Sequence, residues 1–88
     1  MKTLARSPYT ETLGQAVELA IENLIESGAE FDRSAIDERY AFDGVPYETT
    51  KQADVALISY KGKATKKWGH VSIYRMNSGR YEVTTYIL

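Results

Sequence analysis

The apolar residues of this 88-residue chain change period once. In the first half Leu13, Ala16, Val17, Ala20, Ile21, Leu24 and Ile25 recur three and four positions apart, which lays a single stripe along a helix of about four turns. In the second half Gln52 to Tyr60, Trp68 to Arg75 and Arg80 to Ile87 alternate with period two and are rich in β-branched and aromatic side chains, the pattern of strands. A run of helix followed by a run of strand predicts a single α+β domain over residues 1–88. The expected order is two N-terminal helices, then a three-stranded antiparallel β-meander, with helix 1 packed on one sheet face.

Local signals place the element ends. Thr12 with Gln15 forms a capping box, in competition with an earlier start at Ser7-Pro8, and Gly28 supplies a left-handed C-cap. Asp32 caps a second, shorter helix running to Tyr40 or Ala41, with Phe31 placed to staple onto Ile36. Asp43-Gly44-Val45-Pro46 reads as a turn. Asn77-Ser78-Gly79 connects the last two strands, and a loop of that length with Gly79 left-handed pairs Tyr74 with Glu82, Ser72 with Thr84 and His70 with Tyr86. Val71, Ile73, Val83 and Ile87 then share the opposite face.

A chain this short buries only about 60 to 65% of its unfolded surface, so the core is small. There is no cysteine, which removes disulfides, thiolate metal sites and cysteine nucleophiles together. No segment approaches the roughly 20 apolar residues of a membrane span, and the start Met1-Lys2-Thr3-Leu4-Ala5-Arg6 has no apolar run behind its positive charge. The expectation is a cytoplasmic protein with no membrane partner. Gly62, Gly69 and Gly79 make no phosphate-binding fingerprint, and the dispersed acids fit no calcium loop, so neither a cofactor nor a metal is expected.

Charge divides the chain more sharply than its formal total of −1 suggests. Thr10 to Thr50 carries Glu11, Glu18, Glu22, Glu26, Glu30, Asp32, Asp37, Glu38, Asp43 and Glu48 against Arg33 and Arg39, a net of −8. Lys51 to Leu88 carries a net of +5. Glu11, Glu18, Glu22 and Glu26 fall opposite the apolar stripe of helix 1, and like charges four apart cost a helix roughly 0.2 to 0.5 kcal/mol each. No base lies within that stretch to relieve them, which makes the face a candidate docking surface for a basic protein, including one that normally holds nucleic acid. Lys61, Lys63, Lys66 and Lys67 crowd the connection between strands 1 and 2, beside Trp68, and are the candidate nucleic-acid contacts. A third candidate surface is the sheet face turned away from helix 1, where Trp68, His70, Tyr74 and Tyr86 are expected; helix 2 or the segment around Tyr47 is the element placed to cover it. The last strand, Tyr81 to Leu88, is a candidate open edge for homodimerisation.

His70 is the only histidine and the first candidate for acid–base chemistry. The string Trp68-Gly69-His70-Val71-Ser72-Ile73-Tyr74 and the hairpin after it resemble the histidine hairpin of the CHAP peptidases and their relatives over about twenty residues. Those families require a cysteine nucleophile upstream, and this chain has none. Ser72 is two positions along the strand from His70, about 6.5 to 7 Å, too far for a direct relay. The sequence therefore points to a non-catalytic binding protein that acts by protein–protein contact. In type it is similar to small accessory proteins of phages and mobile elements, among them anti-CRISPR and other host-defence inhibitors. A nucleic-acid-binding regulator using the lysine segment is the alternative, and a small hydrolase using His70 the remote one.

Overall fold

A computed structural model describes residues 8–41 and 44–88; Ser7 and Asp43, each named in a sequence signal above, lie outside the described residues. The elements follow the order β1 (Tyr9–Thr10), α1 (Leu13–Glu26), β2 (Ala29–Phe31), α2 (Ser34–Ala41), β3 (Thr49–Tyr60), β4 (Lys63–Ala64), β5 (Trp68–Arg75) and β6 (Tyr81–Ile87). The class is α+β, as expected, but the sheet is larger than a meander. Six antiparallel strands form one curled half-barrel in the order β1-β6-β5-β3-β2, with β4 folded back on β3. The three expected strands are its centre. The three additional ones are two or three residues long, too short to show any period.

Helix α1 starts at the capping box: Gln15 N donates to Thr12 Oγ1 at 3.1 Å, while Gln15 Oε1 accepts from the amides of Thr12 and Glu11. It ends where Gly28, at φ 97°, turns the chain and donates to the Ile25 carbonyl. Ala16, Val17, Leu19, Ala20, Ile21 and Leu24 are buried. Ile25, placed in the core stripe by its spacing, is instead 59% exposed, while Leu19 on the other flank is buried. The stripe is rotated because α1 rests mainly on β6 and β2 and does not lie centrally over the sheet.

The Tyr81–Arg75, Tyr74–Glu82, Ser72–Thr84 and His70–Tyr86 pairs form as the loop length requires, with Gly79 at φ 91°. Val71, Ile73, Val83 and Tyr81 on one side join Ala53, Val55 and Leu57 of β3 beneath α1 to make the core. Helix α2 closes the β3 side: the buried Tyr40 hydroxyl donates to the Lys51 carbonyl at 3.0 Å and Arg39 Nε donates to the Gln52 carbonyl. The Arg39 bond occupies a carbonyl on the stretch of strand edge that β2 does not reach. At the far end Arg75 lies 3.8 Å from the Tyr47 ring centroid and 5.6 Å from that of Tyr81, pinning the segment before β3 to the core side of the sheet.

The last strand is not the bare edge that its position in the chain implied. β1 pairs with it at Tyr9–Glu82 and Thr10–Tyr81, and Val83 N donates to the Pro8 carbonyl. From Thr84 onward β6 has no outer strand among the described residues.

Candidate functional site

Register fixes what the sheet shows on the side away from α1. Ala56, Trp68 and Leu88 form one cross-strand row, closed by reciprocal backbone hydrogen bonds between Trp68 and Leu88. Asp54, His70 and Tyr86 form the next, then Gln52, Ser72 and Thr84, then Thr50, Tyr74 and Glu82 with Tyr9 beside it. Trp68, His70, Tyr74 and Tyr86 are thus brought onto one face, as expected. Neither element expected to cover that face does so: the buried residues of both helices belong to the core on the opposite side, and Tyr47 stacks on Arg75 there.

The rows differ in character along the strands. Trp68 is 48% exposed, Leu88 57% and Ile58, one step beyond Ala56 on the same face, 59%. These are three of the largest apolar side chains left in water, and they gather at one end of the sheet. Next to them the His70 ring is buried: its Nδ1 lies 2.6 Å from Asp54 Oδ1 and its ring centroid 4.6 Å from that of Tyr86. Asp54 holds the imidazole from one neighbouring strand and Tyr86 from the other. No hydroxyl among the described residues hydrogen-bonds the ring, so the pair has an orienting carboxylate without the nucleophile that a hydrolytic relay needs. The middle rows, with Gln52, Ser72, Thr84 and Thr50, are polar and suit a sheet face turned to water.

The lysines adjoin the apolar end. Tyr60-Lys61-Gly62-Lys63 is a tight hairpin turn with φ of 52° at Lys61 and 81° at Gly62, the two positive values that a type I′ turn requires. Lys61 N donates to the Gly28 carbonyl at 2.7 Å, which fastens the hairpin to the end of α1, and its ammonium lies 5.3 Å from the Tyr60 ring centroid. Lys63, Lys66 and Lys67 are exposed and have no ion-pair partner among the described residues. The Leu57 amide donates to the Lys67 carbonyl, so Lys67 enters the sheet directly before Trp68.

The acidic face is differently placed. Arg33, from the loop before α2, bridges Glu18 and Asp37, and these hydrogen bonds, Asp37 first, raise its already high pKa further. Arg80, from the β5–β6 turn, lies 3.4 Å from Glu11. Glu11, expected on the helix face, precedes the Thr12 cap and lies outside α1, so the relief that α1 lacks internally comes at Glu18 from Arg33, while Arg80 meets Glu11 ahead of the helix. Glu22 and Glu26 are exposed in the second half of α1, on either side of Ile25 in the sequence. Asp32 is the N-terminal anchor expected of α2: the Ser34 hydroxyl and amide both donate to its Oδ1 and hold its carboxyl below the usual range.

A shallow depression of about 450 Å³ opens beside α2, lined by Arg39, Gly44, Pro46, Thr49, Thr50, Lys51 and Gln52. Both of its cations serve the fold, Arg39 on the Gln52 carbonyl and Lys51 Nζ on the Gly44 carbonyl at 3.1 Å. Among the described residues no three His, Asp or Glu side chains gather to hold a metal ion, and no helix is long and apolar enough to cross a membrane.

Ile58, Leu88 and Asp54 were not singled out by sequence reasoning. Their parity within the alternating runs was visible, but the relative register of β3 and β5 depends on how the chain folds through residues 61–67, where β4 intervenes. Comparison with protein-family models, with curated proteins and with solved structures returned no match.

Proposed function

We propose that this chain is a non-catalytic binding protein acting by protein–protein contact, and that it meets its partner with the Trp68 end of the sheet face turned away from α1. The observation that supports this reading is the row of Trp68 and Leu88 with Ile58 beside it, all about half exposed on a rigid strand scaffold. Tryptophan is the residue most enriched among interface hot spots, and a large apolar cluster with a charged rim matches the anatomy of an interface. Blocking a partner's surface requires no reaction chemistry, which suits a chain whose one histidine is packed between Asp54 and Tyr86. The acidic helix, favoured by spacing alone, becomes the secondary surface because Arg33 and Arg80 already engage Glu18 and Glu11.

The test is affinity capture with the folded protein as bait, comparing wild type, Trp68→Ala and a Glu22→Lys/Glu26→Lys variant. A partner held by wild type and by the helix variant but lost from Trp68→Ala supports the reading. Equal capture by Trp68→Ala overturns it.

A second reading, single-stranded nucleic acid, is favoured by Lys63, Lys66 and Lys67, unpaired among the described residues, beside an exposed indole. Ile58 and Leu88 weigh against it, since aliphatic side chains offer bases no stacking surface. Titration with a labelled oligonucleotide separates the two: tight binding with a steep salt dependence favours this second reading.

A further inference from the structure

The exposed residues at the Trp68 end form a line with a length and a direction. Ala56 on β3, Trp68 on β5 and Leu88 just past β6 stand side by side across the strands, all exposed, with Ile58 next to the β3 member. Strands lie about 4.8 Å apart, so the row is about 10 Å long and runs at right angles to them. An α-helix rises about 5.4 Å per turn, and a helix laid along the row sets residues i, i+4 and i+7 over Leu88, Trp68 and the Ala56–Ile58 pair in turn. An extended segment fits less well, because side chains on one of its faces recur about 6.6 Å apart.

The two flanks of the row differ in charge. On one side is the row of Asp54, His70 and Tyr86, where the Asp54 carboxylate that holds the imidazole is 54% exposed. On the other side are Lys67, directly before Trp68, Lys63, opposite Tyr60 on the outgoing end of β3, and Lys66 between them in the chain. These three lysines are exposed and have no ion pair among the described residues. Resting on the reading of the Trp68 end as a protein-docking surface, we propose that its occupant is an amphipathic helix of the partner, with an apolar stripe and with carboxylates along one flank only. That flank faces Lys63, Lys66 and Lys67, which give up no ion pair of their own to meet it. Turning the helix end for end would carry its acids to Asp54, so charge fixes its direction along the row.

Trp68 is the chain's only tryptophan, so its emission reports the contact directly. The probe is a peptide of about five helical turns with leucine along the stripe, glutamate on one flank and glutamine elsewhere, unlabelled for emission and fluorescein-labelled for anisotropy. The indole of the free chain is open to acrylamide, and the peptide shifts its emission to the blue and protects it. Binding is at least about tenfold tighter than to a peptide with lysine for glutamate or one with glutamine for leucine, and it weakens as salt rises from about 0.01 M to about 1 M. Trp68→Ala weakens it at least about thirtyfold, and Lys63→Glu/Lys66→Glu/Lys67→Glu reverses the preference toward the lysine peptide. All four positions are exposed, and far-UV circular dichroism confirms the fold of each variant. An indole already shielded in the free chain overturns both the helix and the contact reading. Equal binding of the glutamate and lysine peptides overturns the charged flank, and binding of none of the three overturns the helix; in either case a partner captured by wild type and lost from Trp68→Ala keeps the contact reading. A thymidine oligonucleotide, or vesicles of phosphatidylcholine and phosphatidylserine, that shifts Trp68 emission where the glutamate peptide does not overturns both.

Discussion

At Gly69 the Leu24 side chain of α1 lies directly over the sheet, and replacing this glycine with alanine tests the packing. The residue lies within β5, with its missing side chain directed at the core. A Cβ there would stand 3.0 Å from Leu24 Cδ2, 3.2 Å from Val55 Cγ1 and 3.3 Å from Leu57 Cδ2, where carbon atoms prefer about 3.5 to 4.0 Å. Two favourable terms accompany the change: about 0.8 kcal/mol for burying a methyl, and roughly 0.5 to 1 kcal/mol for replacing glycine within a strand. Against them stands overpacking, about 1 to 3 kcal/mol. The upper part of that range applies because the three neighbours sit on two different elements and Leu24 is fully buried, so relief of one contact tightens another. The net expectation is a loss of about 1 kcal/mol, or about 4 to 8 °C in Tm for a domain of this size. Urea and thermal unfolding measure it. In a Leu24→Ala background the nearest obstacle is gone, and the same substitution becomes neutral or stabilising, a coupling of about 1 to 2 kcal/mol. A Tm raised by Gly69→Ala in the wild-type background, or an equal effect in both, refutes the reasoning.

Two further substitutions probe the ends of the helices. Burial pushes the Tyr40 hydroxyl up to about 12, so the stability it contributes is complete below the ordinary value near 10 and lost as pH climbs through about 12. Tyr40→Phe costs about 1 to 2 kcal/mol at neutral pH by stripping the Lys51 carbonyl of its donor, and denaturation at pH 7 and pH 11 shows a shallower alkaline loss than wild type; equal losses refute the assignment. Thr12→Ala removes the acceptor for the Gln15 amide and lowers stability by about 1 kcal/mol in urea titration, with no effect expected if helix α1 were capped elsewhere.

The features legible in the sequence are those set by neighbours along the chain. The capping box at Thr12 and Gln15, the left-handed Gly28 and the loop at Asn77-Ser78-Gly79 each depend on a few consecutive residues, and each stands where its chemistry puts it. The loop also carried the β5–β6 register, because a hairpin's length fixes which residues face each other. Strands of two or three residues leave no such mark. β1 and β2 exist because β6 and β3 offer open ladders to whatever segment passes, and the partner that defines them lies about 30 to 70 residues away. Ile25 fails for a related reason: helical spacing gives the width of an apolar stripe but not the tilt of the helix that buries it, and that tilt comes from β6 and β2.

The candidate surfaces were legible as residue types, and only partly as places. Alternation put Trp68, His70, Tyr74 and Tyr86 on one face, but the rank of that face against the acidic helix turned on two arginines distant in sequence. Arg33 and Arg80 reach Glu18 and Glu11 from separate loops, and half-exposed pairs of this kind contribute only about 0 to 1 kcal/mol each to stability. Their larger effect is on what remains to meet a partner. Lys63, Lys66 and Lys67 receive no such compensation from the described residues. A chain selected only for stability gains little by leaving three lysines without an ion pair among the described residues, beside an exposed tryptophan, while its arginines relieve glutamates elsewhere. That uneven pairing, more than the split of net charge between the halves, is what ranks the Trp68 end first as the proposed contact surface.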